Sequence, residues 1–215
     1  MIFAIYALDF SRLSCELSFT CHVEPAPSMI DARFGTYRGA IRLALSYLQI
    51  GSGQAWVKPP VAADVRRLVF VCHGNICRSA FADVVARQAG LNVASFGLST
   101  SADMPAHPPA VAAAARLGHD MTAHRTTRVE EYVSLPGDLL LAMEVRHLQK
   151  IAQNLRLTNV PRSLLGLWAV PKMPHLHDPY ELDPAYMETC LRRIEAAVPA
   201  LVSAFPGARL SSTPS

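Results

Sequence analysis

Short apolar runs alternate with helical patterns over the later two thirds of the chain. Apolar residues between turn-forming residues predict four strands, at Leu68–Val71, Asn92–Phe96, Asp138–Ala142 and Leu164–Ala169. The intervening patterns predict helices at Ala80–Ala89, Pro109–Leu117 and Glu144–Asn154, and a last helix that begins at Asp183-Pro184 and kinks or ends at Pro199. Strands that are apolar throughout are covered on both faces, so the pattern predicts an α/β fold with a four-stranded parallel sheet flanked by helices.

The first 65 residues follow a different pattern and are interpreted as an N-terminal extension. Ile41, Leu45 and Leu48 form an apolar stripe that predicts an amphipathic helix near residues 34–48. This helix either covers one face of the domain or offers a dimer or partner surface. A loop-like stretch precedes Met29, so we expect the natural start there and residues 1–28 outside the natural protein. We expect the main domain to span residues 66–206, with a disordered tail at 207–215.

Composition narrows the classes of protein. Hydrophobic residues make up 51% and charged residues 17% of the 215 positions, which is typical of a globular chain. The net charge of +3 is small and the basic residues are scattered, so nucleic acid is not an expected partner. No apolar run reaches the roughly 18 residues of a membrane span. Five cysteines, an odd number, favour a reducing cytoplasm over a disulfide framework, and we expect a monomer or weak homodimer.

The segment that follows the first predicted strand carries the chemistry. Its sequence is Cys72-His73-Gly74-Asn75-Ile76-Cys77-Arg78-Ser79, and a helix follows directly. Backbone N–H groups that converge at a helix N-terminus bind anions, so His73 to Arg78 are predicted to cradle phosphate, with Gly74 supplying a backbone conformation closed to other residues. The same groups favour the thiolate of Cys72, a nucleophile. The planar fork of Arg78 can hold two phosphate oxygens, and the Ser79 hydroxyl can donate to the Cys72 sulfur.

Two simpler interpretations of this segment remain. Cys72 could be a core cysteine and Arg78 a surface charge at a helix start, but the Gly and Asn inside a strand-to-helix loop favour the anion cradle. A zinc site built on Cys72, His73 and Cys77 lacks the second pair of ligands that such sites use. We therefore expect no metal and no organic cofactor.

The run V-C-H-G-N-I-C-R-S resembles the signature of the low molecular weight protein tyrosine phosphatases, and the likeness extends over roughly residues 66–206. The resemblance implies the low molecular weight phosphotyrosine phosphatase fold and a phosphocysteine mechanism, with a phosphotyrosine protein or a small aryl phosphate as partner. It also implies that Asp178, in His177-Asp178-Pro179-Tyr180, is the general acid that protonates the leaving oxygen. The alternative is a loop aspartate that caps a turn before proline.

The resemblance implies further roles around the loop. Ser95, His124 and Tyr180 match supporting positions, of which Ser95 and His124 would brace the loop through hydrogen bonds to Asn75. Cys77 matches a cysteine that can form a disulfide with the nucleophile on oxidation, although it could equally be a small buried hydrophobe.

The chain departs from the family pattern, which leaves other functions open. Ala80 stands where proline is common and Ser101 where an aromatic residue is expected, so preference for phosphotyrosine over other aryl phosphates is undecided. An arsenate reductase of the same fold is one alternative, but such enzymes use resolving cysteines and none lies between Cys77 and Cys190. A non-catalytic phospho-ligand-binding module is another, and the presence of both Cys72 and Asp178 disfavours it.

Overall fold

The computed structural model describes residues 29–210, so the expectations for residues 1–28 and 211–215 lie outside the described residues. Helices and strands follow one another in the order α1 Met29–Phe34, α2 Tyr37–Gly51, β1 Arg67–Cys72, α3 Arg78–Gln88, β2 Val93–Gly97, α4 Pro108–Arg116, β3 Asp138–Ala142, α5 Val145–Gln153, β4 Arg162–Leu164, α6 Pro184–Glu195 and α7 Val198–Ala204. Single turns of 3₁₀-helix lie at Ala62–Asp64, Leu165–Leu167 and Pro206–Ala208.

The four strands form one parallel sheet in the order β2-β1-β3-β4. The central strand β1 pairs with β2 from Leu68 to Cys72 and with β3 from Arg67 to Val71, and its last residue, Cys72, lies opposite Gly97 of β2. Buried apolar clusters cover both faces of the sheet. The predicted fold class is therefore confirmed, and the segment that begins at Cys72 leaves the sheet at the carboxyl edge of a central, buried strand.

The fourth predicted strand, Leu164–Ala169, is wrong over most of its length. The strand is Arg162–Leu164, and the chain turns away from the sheet at Leu165 as a 3₁₀ turn. Leu165 and Ala169 are nevertheless fully or nearly fully buried. The run is apolar because it packs in the core, and burial alone does not distinguish a strand from a tight turn.

The C-terminal region follows the prediction as far as Pro199. Helix α6 ends at Glu195 and α7 starts at Val198, with Pro199 in its first turn, where the missing N–H is tolerated. The expected disordered tail does not begin at residue 207. Ala208 is buried and its carbonyl accepts a hydrogen bond from the Asn92 N–H at 2.7 Å, and Leu210 N–H donates to the Gly90 carbonyl at 2.8 Å. Hydrogen bonds to the segment just before β2 thus hold residues 207–210 in place.

The extension packs on the domain with an unexpected face. Helix α2 is the predicted amphipathic helix, but Ile41, Leu45 and Leu48 are 54%, 49% and 69% exposed. Its buried residues are Gly39 and Ser46, whose small side chains permit a close approach to the domain. The helix thus packs on the domain, as one of its two predicted roles requires, but the apolar stripe of Ile41, Leu45 and Leu48 is not the face that it buries. Of the helices within residues 29–210, none is long and apolar enough to cross a membrane.

Candidate active site

The pocket at the carboxyl edge of β1 brings together the three residues predicted to be catalytic. It has a volume of about 240 Å³ and is lined by Cys72, His73, Gly74, Ile76, Cys77, Arg78, Ser99, Thr100, Asp178 and Tyr180. Cys72 and Arg78 come from the two ends of one loop, whereas Asp178 arrives from an irregular segment a hundred residues later. The predicted phosphate-binding loop and the predicted acid therefore face one cavity.

The sulfur of Cys72 lies at the base of this loop, almost completely buried. The backbone N–H of Asn75 donates to it at 3.1 Å, and the Ser79 hydroxyl lies 2.9 Å from it and can donate as well. Two donors directed at one sulfur stabilise a negative charge there. The geometry fits a nucleophilic thiolate better than a core cysteine, whose surroundings would be apolar.

Asn75 fixes the conformation of the loop. It has φ 53°, a left-handed conformation that Asn tolerates better than most residues, whereas Gly74 does not adopt one and the expectation placed on Gly74 is wrong. Its side-chain amide donates to the hydroxyls of Ser79 at 2.9 Å and Ser95 at 3.1 Å. Its Oδ1 accepts from the Thr127 N–H at 3.0 Å.

His124 also supports the loop, through a hydrogen bond to its backbone. Its Nε2 lies 2.8 Å from the Asn75 carbonyl oxygen and donates to it. Burial lowers the pKa of His124, and the bond to Asn75 offsets part of this effect. The structure thus gathers Ser79, Ser95 and His124 around Asn75.

Arg78 is buried and held at three points. Its Nη1 donates to Glu144 Oε1 at 2.5 Å and to the Leu176 carbonyl at 2.8 Å, and its Nη2 lies 2.6 Å from Asp178 Oδ2. Burial alone would lower the pKa of Arg78, but the carboxylates of Glu144 and Asp178 raise it, so the guanidinium remains charged. The side chain of Asp178 is 30% exposed at the mouth of the pocket, within reach of a bound substrate.

Glu144 is the residue of this site that the sequence reasoning missed. It follows β3, is fully buried, and also binds Arg146 through Oε2 at 2.6 Å. Burial raises the pKa of this carboxyl, but Arg78 and the neighbouring cations lower it well below its usual range. The sequence does place this acidic residue two positions after a predicted buried strand. Residues that follow neighbouring parallel strands meet at the carboxyl edge of the sheet, which is where the Cys72 loop lies.

Two buried histidines lie beside Glu144. His147 Nε2 and His175 Nδ1 are each 3.8 Å from its carboxylate oxygens, which is beyond hydrogen-bond distance. Burial lowers the pKa of His147 to about 3 and that of His175 to about 4, although Glu144 raises both in part. Both rings are therefore neutral at pH 7, and the charge of Glu144 is balanced by arginines.

The lining of the pocket includes one tyrosine, Tyr180. The ring of Tyr180 is 44% exposed and packs 4.8 Å from the ring of His107. Ser99 and Thr100 also line the pocket, while Ser101 is exposed and does not line it. His73 is exposed at the mouth, where partial burial and the charge of Lys150 lower its pKa.

The remaining cysteines near the pocket are buried thiols. Cys72, Cys77 and Cys190 are all free. Burial raises the pKa of Cys77, and also that of Cys190 to about 12, so both remain protonated thiols at neutral pH. Within the part of the chain that the structure describes, no three His, Cys, Asp or Glu side chains are arranged to hold a metal ion.

The parallel sheet and the cysteine-containing loop at its carboxyl edge define the class of protein, a small phosphatase. The family model described as "Low molecular weight phosphotyrosine protein phosphatase" matches residues 67–211. The chain belongs to that family. Membership confirms the predicted family, fold and class of enzyme, a protein tyrosine phosphatase.

Individual relatives agree with this assignment. The probable low molecular weight protein-tyrosine-phosphatase EpsP of Ralstonia nicotianae is 30% identical over 142 residues, which cover 64% of this chain and 94% of the relative. The tyrosine phosphatase Wzb of Escherichia coli, solved with sulphate, is 26% identical with a TM-score of 0.55 over 63% of this chain and 94% of its own. The YwlE arginine phosphatase of Geobacillus stearothermophilus is 20% identical with a TM-score of 0.55 over 64% and 91%, a likeness that shows the fold alone.

Proposed function

We propose that this protein hydrolyses phosphotyrosine or other aryl phosphate monoesters through a phosphocysteine intermediate on Cys72. The observation that carries the proposal is the position of Arg78. Its guanidinium is fixed from behind by Glu144 and the Leu176 carbonyl and reaches Asp178 in front, in the pocket that Cys72 lines. Nucleophile, anion receptor and acid thus share one small cavity.

In the first step the Cys72 thiolate attacks phosphorus in line with the leaving oxygen. The S–P bond forms as the P–O bond breaks, and Asp178 transfers its proton to the departing aryl oxide. The backbone amides of residues 73–78 and the guanidinium of Arg78 bind the equatorial oxygens, which carry the charge of the transition state. The donors aimed at the sulfur lower the free energy of the thiolate before attack.

In the second step the Asp178 carboxylate removes a proton from water, which attacks the phosphocysteine. The S–P bond breaks, the Cys72 thiolate is restored with its two hydrogen bonds, and inorganic phosphate leaves. The step needs no redox partner, because the sulfur returns to its starting state. The roles of Ser79, Ser95 and His124 in this scheme are to hold Asn75, and through it the loop, in one conformation.

The rim supports an aryl substrate. Tyr180 and Ile76 offer an apolar surface beside the loop, and His107 supports the Tyr180 ring from behind. Ser99 and Thr100 add small polar side chains to the lining, which is compatible with aryl groups other than that of tyrosine. We propose phosphotyrosine proteins or small aryl phosphates as partners in the cytoplasm, with the protein as a monomer or weak homodimer.

The test is hydrolysis of para-nitrophenyl phosphate by the reduced full chain with EDTA present. Cys72→Ser should abolish turnover, and Asp178→Ala should lower kcat by about 10² to 10⁴-fold, the usual contribution of a general acid. Asp120→Ala, an exposed aspartate that bonds only within its own turn, serves as the matched control and should retain full activity. Turnover that survives Cys72→Ser would contradict the proposal.

The alternatives are separated in the same experiment. Arsenate-dependent oxidation of an external thiol without phosphatase activity would indicate an arsenate reductase. Binding of phosphate to an inert wild type would indicate a phospho-ligand-binding module. Phosphotyrosine and phosphoarginine peptides compared under the same conditions decide the substrate class, and faster hydrolysis of phosphoarginine would contradict the aryl phosphate proposal.

A further inference from the structure

The segment that carries Asp178 has no regular structure of its own. Between the 3₁₀ turn that ends at Leu167 and the start of α6 at Pro184 the chain contains no helix or strand. A loop of this length keeps a fixed shape only through contacts with its neighbours. The Leu176 carbonyl is fixed by Arg78, and the His177 carbonyl accepts from the Tyr186 hydroxyl at 3.3 Å. These bonds hold the backbone before Asp178 from the domain side.

The other side of this segment is held by the N-terminal helices. The Thr36 Oγ1 lies 3.3 Å from His177 Nε2, and the same oxygen accepts the Gly39 N–H at 3.1 Å as the N-cap of α2. Because that bond uses an acceptor site of the hydroxyl, its proton is available to the imidazole of His177. Farther along, the Tyr47 hydroxyl donates to the Lys172 carbonyl at 2.5 Å. The residue directly before the acid is thus bonded to the extension.

Two glycines make this close approach possible. A Cβ at Gly35 would lie 2.7 Å from the ring of Tyr186 and 2.9 Å from the ring of His177. A Cβ at Gly39 would lie 3.0 Å from the His177 ring and 2.1 Å from the Phe34 carbonyl oxygen. Gly51, at the other end of α2, has open space where its Cβ would be. A side chain at Gly35 or Gly39 would therefore crowd the ring of His177, whereas a side chain at Gly51 would point into open space.

This contact is additional to the family domain. The family model begins its match at residue 67, so α1 and α2 lie before it. Resting on the phosphatase activity proposed above, we propose that the N-terminal helices position the acid: Gly35, Thr36 and Gly39 seat the His177 ring and thereby hold Asp178 in reach of the leaving oxygen. These are positioning residues, since none of them lines the pocket.

A displaced acid has a specific kinetic signature. An acid contributes most when the leaving group is basic, as with phenyl phosphate, and little when the leaving aryl oxide is already stable, as with 2,4-dinitrophenyl phosphate. A displacement of about 1 Å can cost up to roughly a hundredfold in rate. Damage to the fold or to the loop of Cys72 would instead lower the rates for both substrates together. The ratio of the two kcat/KM values thus reports the position of Asp178.

The experiment measures kcat/KM of the full chain with both substrates for two matched pairs of variants. Gly39→Ala should lose about tenfold on phenyl phosphate and less than about twofold on the dinitrophenyl ester, while Gly51→Ala should match the wild type. Thr36→Val, which removes the hydroxyl at nearly constant shape, should shift the ratio in the same direction, and Thr36→Ser should restore it.

The outcomes distinguish this inference from the proposed function. Asp178→Ala should show the loss that is selective for phenyl phosphate. If it does, but Gly39→Ala and Thr36→Val lower kcat/KM equally for both substrates or for neither, the positioning role is overturned and the phosphatase mechanism stands. If Asp178→Ala itself shows no selectivity, the acid assignment and the inference both fall. Thermal unfolding of each variant, measured alongside, confirms that the chain compared is folded.

Discussion

Replacing the buried carboxylate behind Arg78 should damage both stability and phosphate binding. Glu144 and Arg78 are both nearly or fully buried, and their closest atoms are 2.5 Å apart. Removal of one partner of a buried pair costs about 3 to 5 kcal/mol, because the other charge remains desolvated. Glu144→Gln keeps the shape and one acceptor, and Asp178 still pairs with Arg78, so the lower end, about 3 kcal/mol, applies. For a chain of this size that is a fall of roughly 6 to 12 °C in Tm.

The measurement is urea unfolding at pH 7 together with inhibition by inorganic phosphate. Glu188→Gln is the control, since Glu188 also pairs with two arginines, at 2.7 and 3.1 Å, but on the surface, where loss should stay below about 1 kcal/mol. Inhibition by phosphate should weaken about tenfold in Glu144→Gln, since Arg78 loses a fixed support. Because the fold lowers the pKa of the Glu144 carboxyl, the ionised carboxylate stabilises the fold at pH values above about 4.3, the pKa of glutamate in an unfolded chain. The difference in unfolding free energy between wild type and Glu144→Gln should therefore shrink as the pH falls below that value. A loss no larger than that of Glu188→Gln would show that burial of the Glu144–Arg78 pair adds nothing to its contribution to stability.

Three further predictions concern the same site. His147 is buried with a pKa of about 3, so it stays neutral in the fold, whereas in the unfolded chain it takes up a proton below about pH 6.5. The unfolding free energy should therefore fall as the pH drops from 6.5 toward 4. His147→Leu should make the unfolding free energy less dependent on pH over this range, as urea unfolding at several pH values would show. Asn75→Ala removes three side-chain hydrogen bonds and should lower both kcat and the unfolding free energy, the latter by about 2 kcal/mol; unchanged kcat would show that the loop does not need this brace. Arg78→Lys should lower kcat/KM by about a hundredfold, since a point charge cannot hold two oxygens in a plane, and near-normal turnover would contradict the proposed role of the fork.

The features that sequence predicts well here are local. The loop from Cys72 to Ser79 is defined by a buried strand before it and a helix after it, so its role as an anion cradle can be predicted without knowing the rest of the fold. Asp178 required the resemblance to a family, because nothing in its own neighbourhood distinguishes an acid from a turn-capping residue.

The features that sequence does not predict depend on which elements become neighbours. Glu144 reaches Arg78 only because β3 lies beside β1 in the sheet. The extension turns its glycine face inward and leaves Leu48 exposed, since close backbone approach to His177 decides its packing and the apolar stripe does not. The residues from Leu164 to Ala169 are apolar because they pack in the core. Hydrophobic periodicity alone does not show whether such a buried run is a strand or a tight turn.

In the proposed mechanism the phosphoryl group passes through the sulfur of Cys72, and trapping that phosphocysteine is the most direct test of it. Wild type turning over para-nitrophenyl phosphate is quenched within milliseconds and digested, and the peptide that contains Cys72 and Cys77 is fragmented in a mass spectrometer. Phosphate is expected on Cys72 during turnover and should be absent in Cys72→Ala. Steady turnover with no phosphate on that peptide, or with phosphate on Cys77 or His73 in its place, would contradict the proposed mechanism.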